Sequence, residues 1–497
     1  MEKTVYIRRC LEDHLLDTKT YRRITKQEAL TRNAEIVDEI KHLMEIDKAA
    51  RERLPLTDTQ KYFARGLKQK KGVAKFYANP KIHKKPIPGR QNEWPTRPVV
   101  ATCSSPIEIL SKWLDDQLQQ VLHLCPSYLK DGYQLIRELS DMAPLPTNAK
   151  LVTADASSMY TNIDTDFGIA VIDKWLDRHK QELPYGFPTK KIVKGLRIVM
   201  KNTVFVFDDT YWLQLKGTAM GTSVAVTYAT IFFSYWEEIG IIPHFGNFLV
   251  YYRRFIDDML SIIIYDPEQV ENLGTKMNSF GPTPEMRLSW EMERPATSVN
   301  FLDLTISINT DGKIEFKTYQ KPRNLYLYLP PSSAHPPSVF KGTVFGQLRH
   351  FWKQNSNPGD FQRVTREFYQ HLLRRGHQPE PTKALFMEAA HNIENTIDND
   401  DNTAATRQTK PRPFILHQKY HPSQITRQAL QALYKETLGT LQNSNDATSK
   451  HIGSTELIIA YNRAENLRDM LTSSGLNQPD GNRVSDIINR LPTTEQR

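Results

Sequence analysis

The sequence contains little cysteine and no long apolar run, and both absences narrow the kind of protein it encodes. Its three cysteines, Cys10, Cys103 and Cys125, share no CxxC spacing, which argues against a zinc site or a disulfide framework. No apolar stretch reaches the length of a membrane span, and the N-terminus does not resemble a signal peptide. We therefore expect a soluble, intracellular protein with no membrane partner.

Acidic residues are absent from the segment 61–90, which carries ten lysines and arginines interleaved with aromatic side chains. Cations pair with phosphates and rings stack on bases, so this mixture favours contact with nucleic acid or a triphosphate. A solvated basic loop and a nuclear-import signal at 68–71 are the alternatives. The net charge of the whole chain, +9, also favours a polyanionic partner. The predicted nucleic-acid-binding residues are Lys70, Lys71, Lys75, Lys84 and Lys85.

The pattern along the chain indicates several regions. At roughly 100–200 residues per domain, its 497 residues allow two to four domains. Residues 1–60 have helical spacing, and strands and helices alternate from about 95 to 330. The polar stretch 376–412 is predicted to be a mobile insertion or linker, and a helical segment is expected beyond Phe414.

Two adjacent aspartates, Asp257 and Asp258, lie between the apolar runs 248–252 and 260–265. Each run has the composition of a strand, so the pattern predicts a β-hairpin with carboxylates at its tip. Adjacent like charges beside core strands are costly unless a cation neutralises them. An ordinary acidic turn is the alternative, because Asp is common in turns.

A third carboxylate, Asp155, ends the short predicted strand 151–154. By itself an Asp there is more often a helix N-cap. With Asp257 and Asp258 it forms the minimal carboxylate set for two metal ions that clamp an in-line phosphoryl transfer. These three aspartates are the predicted catalytic and metal-binding residues.

A glycine-bearing loop, 217–223, lies between the two carboxylate elements and opens a long apolar helix. Gly217 and Gly221 would allow a ligand to approach the backbone closely, and a helix start offers N–H groups. As a lone motif it is weak evidence, and the helix is most simply part of the core. Its place between Asp155 and Asp257 links it to the site.

Asp155, the glycine loop and Phe255–Asp258 resemble motifs A, B and C of reverse transcriptases. The wider pattern is similar to Penelope-like retroelements, relatives of telomerase reverse transcriptase. No GIY-YIG endonuclease segment is found, so we expect an endonuclease-lacking or truncated member. The motifs behind this resemblance, spread over about residues 5–475, are FYANPKIHK at 76–84, SMYTNI at 158–163, GTAMG at 217–221, VNFLDL at 299–304, YQKP at 319–322, SAHP at 333–336 and IAYNRAENLRDML at 459–471.

The resemblance implies an α+β right-hand polymerase with fingers, a palm whose antiparallel sheet carries the aspartates, and a helical thumb. The expected regions are an N-terminal helical extension (1–60), a basic fingers-like region (61–145), the palm and catalytic core (146–330), a helical thumb-like region with a polar insertion near 376–412 (331–475), and a polar tail (476–497).

The resemblance also implies roles for residues of this chain. Asp155 and Asp257 would hold two Mg²⁺ ions, with Mn²⁺ as an alternative, and Asp258 would support them. Tyr160 stands at the family's steric-gate position, which favours dNTPs; a core tyrosine is the alternative. Residues expected to contact the nucleotide are Tyr160, Gly221, Arg97 and Lys81.

The implied function is RNA-directed DNA polymerisation by a retrotransposon enzyme, with an RNA template, a DNA primer and dNTPs as partners. Such an enzyme would act in the nucleus. A host-retained, telomerase-like polymerase and a catalytically inactive RNA-binding remnant are the alternatives. Asp303 is assigned either to a primer-gripping hairpin or to a structural bend. His335 either contacts nucleic acid or packs within a loop.

Overall fold

The structure, a computed structural model, describes residues 2–82, 84–90, 93–157, 159–287, 289–400, 413–421, 425–462 and 484–489. It divides into two compact units, one of residues 1–315 with 474–497 and one of residues 316–473. Helices and largely antiparallel sheets are mixed within the chain. The α+β class predicted from the sequence is therefore confirmed.

The helices of the first unit lie between residues 3 and 277, with one more at 484–489. They are α1 (Lys3–Cys10), α2 (Lys26–Leu43), α3 (Ile46–Arg51), α4 (Asp58–Gln69), α5 (Ile107–Gln119), α6 (Gly132–Ser140), α7 (Met159–Asn162), α8 (Thr165–Arg178), α9 (Thr189–Lys201), α10 (Ala225–Trp236), α11 (Ile242–Phe245), α12 (Pro267–Met277) and a last helix, Val484–Asn489. Short π-helical turns cover Leu11–Leu15 and Glu237–Ile241.

Two sheets make up most of the strand content of this unit. The first has the order β1-β6-β5-β2-β3 and the second β7-β8-β4-β9, while β10, β11 and β12 form a third, smaller sheet. The strands are β1 (Tyr21–Ile24), β2 (Ala74–Pro80), β3 (Thr96–Ala101), β4 (Ala149–Ala156), β5 (Val204–Phe207), β6 (Thr210–Gln214), β7 (Leu249–Phe255), β8 (Asp258–Ile264), β9 (Trp290–Met292), β10 (Ser298–Phe301), β11 (Leu304–Ile308) and β12 (Ile314–Thr318). The last of these, β12, begins in the first unit and ends in the second.

The four-stranded sheet β7-β8-β4-β9 is fully antiparallel. Its inner strand β8 is buried at five consecutive positions, Met259–Ile263, so this strand is covered on both faces. Helices α8 and α10 contribute Ile172, Trp175 and Phe232 to the same hydrophobic core. The ends of these strands are therefore held by a packed core, which fixes the positions of the side chains they carry.

The five-stranded sheet is held by alternation along β2, where Ala74, Phe76 and Ala78 are buried while Lys75 and Tyr77 are exposed. On the buried side, Phe76 stacks on Phe205 of β5 with ring centroids 5.4 Å apart. The period of two places Lys75, Tyr77 and Asn79 of β2 on the other side of the sheet, opposite Ala101, Val99 and Arg97 of β3.

The second unit contains α13 (Pro337–Gln354), α14 (Pro358–Arg374), α15 (Pro379–Asp400), α16 (Arg427–Thr437) and α17 (Ala447–Ser454), with β13 (Phe414–Lys419) parallel to β14 (Leu457–Asn462). Ala389 and Ile393 of α15 are buried with residues of α13 and α14. The prediction of a mobile linker is thus wrong for 379–400, because these two side chains give the helix an apolar stripe. Residues 401–412 lie outside the described part of the chain.

The segment beyond Phe414 begins with a strand rather than a helix, and α16 follows it. The apolar run 457–460 supplies the partner strand, which the sequence analysis did not anticipate. Of the motif at 459–471, only 459–462 is described. Among the described helices, none combines the length and apolarity that a membrane crossing requires.

Candidate functional site

The hairpin predicted around the paired aspartates is present. Phe255 ends β7 and pairs with Asp258, the first residue of β8, so Ile256 and Asp257 form a two-residue loop. Ile256 has φ 59°, a left-handed conformation that tight hairpins favour but that a β-branched residue rarely adopts. One carboxylate therefore lies in the loop and the other at the start of a core strand.

Asp155 lies at the end of β4, between two acidic neighbours. It is directly opposite Asp258 on β8 and opposite Glu291 on β9. Residues directly opposite each other in an antiparallel pair have Cβ atoms roughly 4.5–5.5 Å apart and share one face. The backbone N–H of Ala156 donates to the carbonyl of Asp257 at 3.1 Å. The sheet thus gathers the three predicted aspartates and one further carboxylate.

The electrostatics of Asp155 reflect this crowding. Burial is the largest cause that raises the pKa of its carboxyl, followed by the negative charges of Asp257 and Glu291. Lys84 and Lys81 act in the opposite sense without cancelling these effects. A bound cation would relieve the repulsion among these carboxylates.

Lys81, one of the predicted nucleotide contacts, lies within electrostatic range of these carboxylates. Burial lowers the pKa of Lys81, as do the charges of Lys84 and Arg97, whereas Asp155 and Asp257 raise it. The backbone N–H of Lys81 donates to the carbonyl of Pro95 at 2.8 Å, which ties the end of β2 to the approach of β3. The structure therefore brings cations and carboxylates to the same place.

Tyr160 lies on the single turn of α7, five residues after Asp155. Burial raises the pKa of its phenol to about 12; Asp257 also raises it and Arg97 lowers it. The hydroxyl therefore stays protonated at neutral pH. Its ring is half-buried and packs against the core, as a core tyrosine would. The charges of Asp257 and Arg97 also reach its phenol.

The glycine loop is held by the chain itself. Gly217 has φ +79°, and a Cβ there would lie 2.6 Å from the carbonyl oxygens of Tyr160 and Thr161. Gly221 has φ +109°, and its Cβ would lie 2.6 Å from the carbonyl oxygen of Val100 on β3. Both glycines therefore permit close contact between segments of the protein.

The N–H groups at the start of α10 are also used internally. Val224 N donates to Ser111 Oγ at 3.0 Å and Ala225 N to the carbonyl of Thr222 at 3.1 Å. The expectation that this helix start offers N–H groups to an anion is not supported at these two positions. The loop instead links α7 to β3, the elements that carry Tyr160 and Arg97.

A buried ion pair contacts the hairpin loop that carries Asp257. Arg254 and Glu237 are 0% and 2% exposed, and their side chains form a double hydrogen bond, with Nε–Oε1 at 2.6 Å and Nη2–Oε2 at 2.9 Å. Arg254 Nη1 also donates to the carbonyl of Ile256 at 2.8 Å. Its guanidinium therefore holds in place the backbone of Ile256, the residue before Asp257.

The acidic partner is itself fixed. Tyr252 Oη donates to Glu237 Oε1 at 2.9 Å, and Ser127 Oγ donates to Oε2. Glu237 begins the π-helical turn that follows α10, and such turns are frequent at functional sites. The sequence analysis missed Arg254 and Glu237. The sequence did contain a signal for them, because each is a charged residue beside an apolar segment. Arg254 precedes the hairpin loop, and Glu237 directly follows α10.

Glu291 was also missed. It is exposed, and Ser157 Oγ donates to its Oε1 at 2.9 Å. Because β9 is three residues long, its strand pattern is too short to read from sequence. Pairing with β4 is what places Glu291 beside Asp155.

The remaining predicted residues lie elsewhere or have other partners. Lys70 Nζ is 2.9 Å from Glu108 Oε2, while Lys71, Lys75 and Lys85 are exposed and none of them contributes to the pKa shift of Asp155. Asp303 occupies the β10–β11 loop beside Gly132. His335 is exposed and bonds to Ser333 at 2.6 Å, so the expectation that it packs within its loop is wrong.

The donor set suits Mg²⁺. Across the described residues, no group of three or more Cys, His, Asp or Glu side chains closes into a metal cage. Magnesium usually keeps several waters and binds one or two carboxylates plus substrate phosphates. Asp155 and Asp257, close enough for one charge to raise the pKa of the other carboxyl, fit that mode of binding.

Comparison with known proteins gives structural likeness without sequence likeness. No protein-family model matches the sequence, and no curated protein matches it. Telomerase from Candida albicans in complex with a telomeric RNA fragment is similar with a TM-score of 0.44 and 11% identity, over 78% of this chain and 66% of that one. Apo telomerase from Candida tropicalis is similar with a TM-score of 0.39 and 10% identity, over 65% and 58%.

A viral polymerase shows a comparable likeness. The BmCPV RNA-dependent RNA polymerase at its elongation state has a TM-score of 0.40 and 12% identity, over 67% of this chain and 29% of its own. The protein thus spans between 55% and 66% of the length of the telomerase chains it resembles. These neighbours are nucleic-acid polymerases. At such TM-scores they establish no reaction, substrate or partner for this chain.

Proposed function

We propose that this protein is an RNA-directed DNA polymerase of Penelope-like type that adds dNTPs to a primer 3′-hydroxyl. The observation that carries the proposal is the convergence of Asp155, Asp257 and Asp258 at the ends of β4 and the β7–β8 hairpin. Lys81 and Tyr160 lie within electrostatic range of the same carboxylates. They add the surroundings that a metal-bound triphosphate needs.

Each residue has a role that follows from its position. Asp155 and Asp257 would hold the Mg²⁺ ions, which stabilise the charge that develops during phosphoryl transfer. Lys81 and Arg97 would bind and orient the triphosphate. Arg254 would hold the loop that carries Asp257. Catalysis of this kind depends mainly on positioning and charge stabilisation, so a rigid hairpin matters as much as its carboxylates.

Tyr160 would line the sugar pocket and exclude a ribose 2′-hydroxyl. Its phenol is neutral at working pH, as that of an ordinary tyrosine is, and burial raises its pKa further, to about 12. The ring therefore acts through its bulk, which favours DNA as the product. The choice of an RNA template, the mobile-element origin and action in the nucleus rest on the motif resemblance.

Primer extension tests the proposal. Wild-type protein is given an RNA template, a DNA primer, dNTPs and Mg²⁺, and Asp257→Asn is compared with Asp209→Asn. Asp209 lies in another two-residue hairpin loop and hydrogen-bonds Ser485, so it is a charge-matched control. We expect extension by the wild type and the control and its loss in Asp257→Asn.

Absence of extension from a folded wild type would refute the proposal and favour the inactive RNA-binding remnant. Metal binding gives a second readout that does not depend on turnover. Added Mg²⁺ should raise the melting temperature of the wild type, since a ligand that binds only the native state stabilises it. Asp155→Asn should melt higher than the wild type without Mg²⁺, because a like charge is removed, and should respond less to it.

A further inference from the structure

A groove on the first unit, lined by α2, α3 and α9, is rich in positive charge. It encloses about 770 Å³. Its lining includes seven lysines and arginines against three acidic residues. None of its lining residues belongs to the aspartate cluster or contributes to the pKa shift of Asp155. The cationic residues are Lys48, Arg51, Lys190, Lys191, Lys194, Arg197 and Lys201.

The cations on α9 form a stripe. Lys190, Lys194, Arg197 and Lys201 follow one another at intervals of four, three and four residues and are all exposed, so they share one face of the helix. At a rise of 1.5 Å per residue the stripe is about 16 Å long. Successive phosphates of one strand of a duplex are roughly 3.4 Å apart along the axis. The stripe therefore spans several phosphates, far more than one nucleotide offers.

The stripe is not explained by helix stability. Like charges one turn apart repel, and Lys190 stands in the first turn of α9, where the helix dipole disfavours a cation. Acids offset part of the charge, since Lys191 Nζ is 2.9 Å from Glu45. Asp166 lies 2.6 Å from Lys201 Nζ and 3.6 Å from Arg197 Nη1 and so offsets part of the charge of both. The surplus of positive charge remains in a concave site.

The other wall of the groove has mixed charge. Lys48 and Arg51 lie on α3 and are exposed, but this side also carries the three acids of the groove, Glu39, Glu45 and Asp47. The surplus of positive charge in the groove therefore comes from α9. A polyanion laid along α9 would release counterions from that helix.

We propose that this groove binds the sugar–phosphate backbone of a nucleic-acid strand, at a surface separate from the aspartate cluster. Phosphate recognition of this kind is independent of base sequence. It would hold the strand whether or not nucleotides are being added, so the proposal does not rest on polymerase activity. RNA and DNA share this chemistry, and the measurement separates them.

The test compares Lys190→Gln/Lys194→Gln with Lys174→Gln/Lys180→Gln. Lys174 lies on α8 and Lys180 just after it, and both are exposed and do not line the groove. Dissociation constants for labelled single-stranded RNA, single-stranded DNA and duplex are measured by fluorescence anisotropy over a salt series. Removing two phosphate contacts should lower the slope of log K against log[salt] by about 1.4 for single strands and about 1.8 for duplex. The control should keep the wild-type slope.

An unchanged slope with all three probes, or an equal fall in the control, would overturn the proposal. The probe whose dissociation constant rises most in the groove variant identifies the strand that the groove prefers. Circular dichroism melts of both variants verify folding. If the wild type extends no primer while the groove variant still loses slope, the proposed function fails and the groove assignment stands.

Discussion

The surroundings of Asp155 disfavour the ionised form of its carboxyl. Its pKa is raised by burial and by two neighbouring carboxylates. A raised carboxyl pKa favours the protonated native state, so its stabilisation is present below the ordinary pKa and is lost as pH rises through the raised one. Cation binding requires the ionised form. Activity should therefore fall as pH is lowered through the raised pKa of Asp155.

Glu291→Gln tests this electrostatic account. The substitution removes one negative charge opposite Asp155 while the amide oxygen can still accept the hydrogen bond from Ser157. The pKa of Asp155 should fall, and the acid limb of the pH–rate profile for primer extension should move to lower pH. Glu293→Gln, which removes a charge that does not contribute to the shift, should leave the limb in place. Identical profiles for wild type and Glu291→Gln would contradict the account.

Tyr160→Ala tests the steric gate. Removing the ring should open space beside the sugar, so incorporation of rNTPs relative to dNTPs should increase by at least tenfold, about 1.4 kcal/mol of lost discrimination. The measurement is kcat/KM for each nucleotide in single-nucleotide addition. Tyr160→Phe keeps the ring and should retain discrimination. A fall in both rates with an unchanged ratio would indicate a core tyrosine instead.

At the scale of secondary-structure elements, the hairpin that carries Asp257 has the same kind of loop as two other hairpins of the chain. Phe207–Thr210, Phe255–Asp258 and Phe301–Leu304 each close a two-residue loop whose second residue is Asp and whose first has φ between 55° and 59°. In the first of these, Asp208 and Asp209 accept hydrogen bonds from the last helix at Val484 and Ser485. The ordinary acidic turn and the candidate catalytic turn thus share one local structure.

Gly217→Ala tests whether the glycine loop must pack closely on α7. The new Cβ would meet two carbonyl oxygens at 2.6 Å, in addition to the strain of φ +79°. Gly186→Ala is the matched control, because Gly186 has φ +73° with nothing within 4 Å. The control should lose only the cost of the left-handed conformation, about 1–2 kcal/mol. Gly217→Ala should lose more in urea denaturation, and equal losses would show that the loop gives way freely.

The ion pair beneath the hairpin should matter for stability and for the site. Arg254→Met leaves Glu237 buried without its partner, which costs about 3–5 kcal/mol in the free energy of unfolding. It also frees the carbonyl of Ile256, so kcat for extension should fall in the protein that remains folded. Glu237→Gln in the same background should recover part of the stability, because no buried charge is left.

The double substitution separates the two effects. If activity returns with stability, Arg254 acts only by supporting the fold. If stability returns while kcat stays low, the grip on the hairpin loop is needed for catalysis. Urea denaturation and single-turnover extension are the measurements, and Arg253→Met, on the exposed side of β7 with Glu138 as partner, is the control.

For the molecule as a whole, the two compact units should unfold separately. Phe368 of α14 is fully buried in the core of the second unit, and Phe368→Ala should cost that unit about 3–5 kcal/mol. Hydrogen exchange should rise in 337–393 while β4 and β8 keep their protection. Met387→Ala, at a position 67% exposed, should change little. Loss of protection in both units together would show that they unfold as one.

Much of the architecture could be predicted because it depends on local pattern. Apolar runs of strand composition predict β4, β7 and β8, and helical spacing predicts α2 and α16. The helix over 379–400 and the parallel pair β13–β14 could not be predicted. The polar composition of 379–400 hides the few apolar contacts that order its helix, and each strand of the β13–β14 pair has its partner distant in sequence.

The sequence alone determined the local chemistry: a tight hairpin with Asp257 and Asp258, a strand ending at Asp155, and a surplus of basic residues. It did not show how the surroundings of the β7–β8 hairpin differ from those of two other acidic hairpins, since the three loops are alike. Tertiary structure decided this, because only the β7–β8 hairpin pairs with β4 and meets Asp155 and Glu291. Repulsion between these carboxylates, which a bound cation would relieve, arises only when separate strands bring them together.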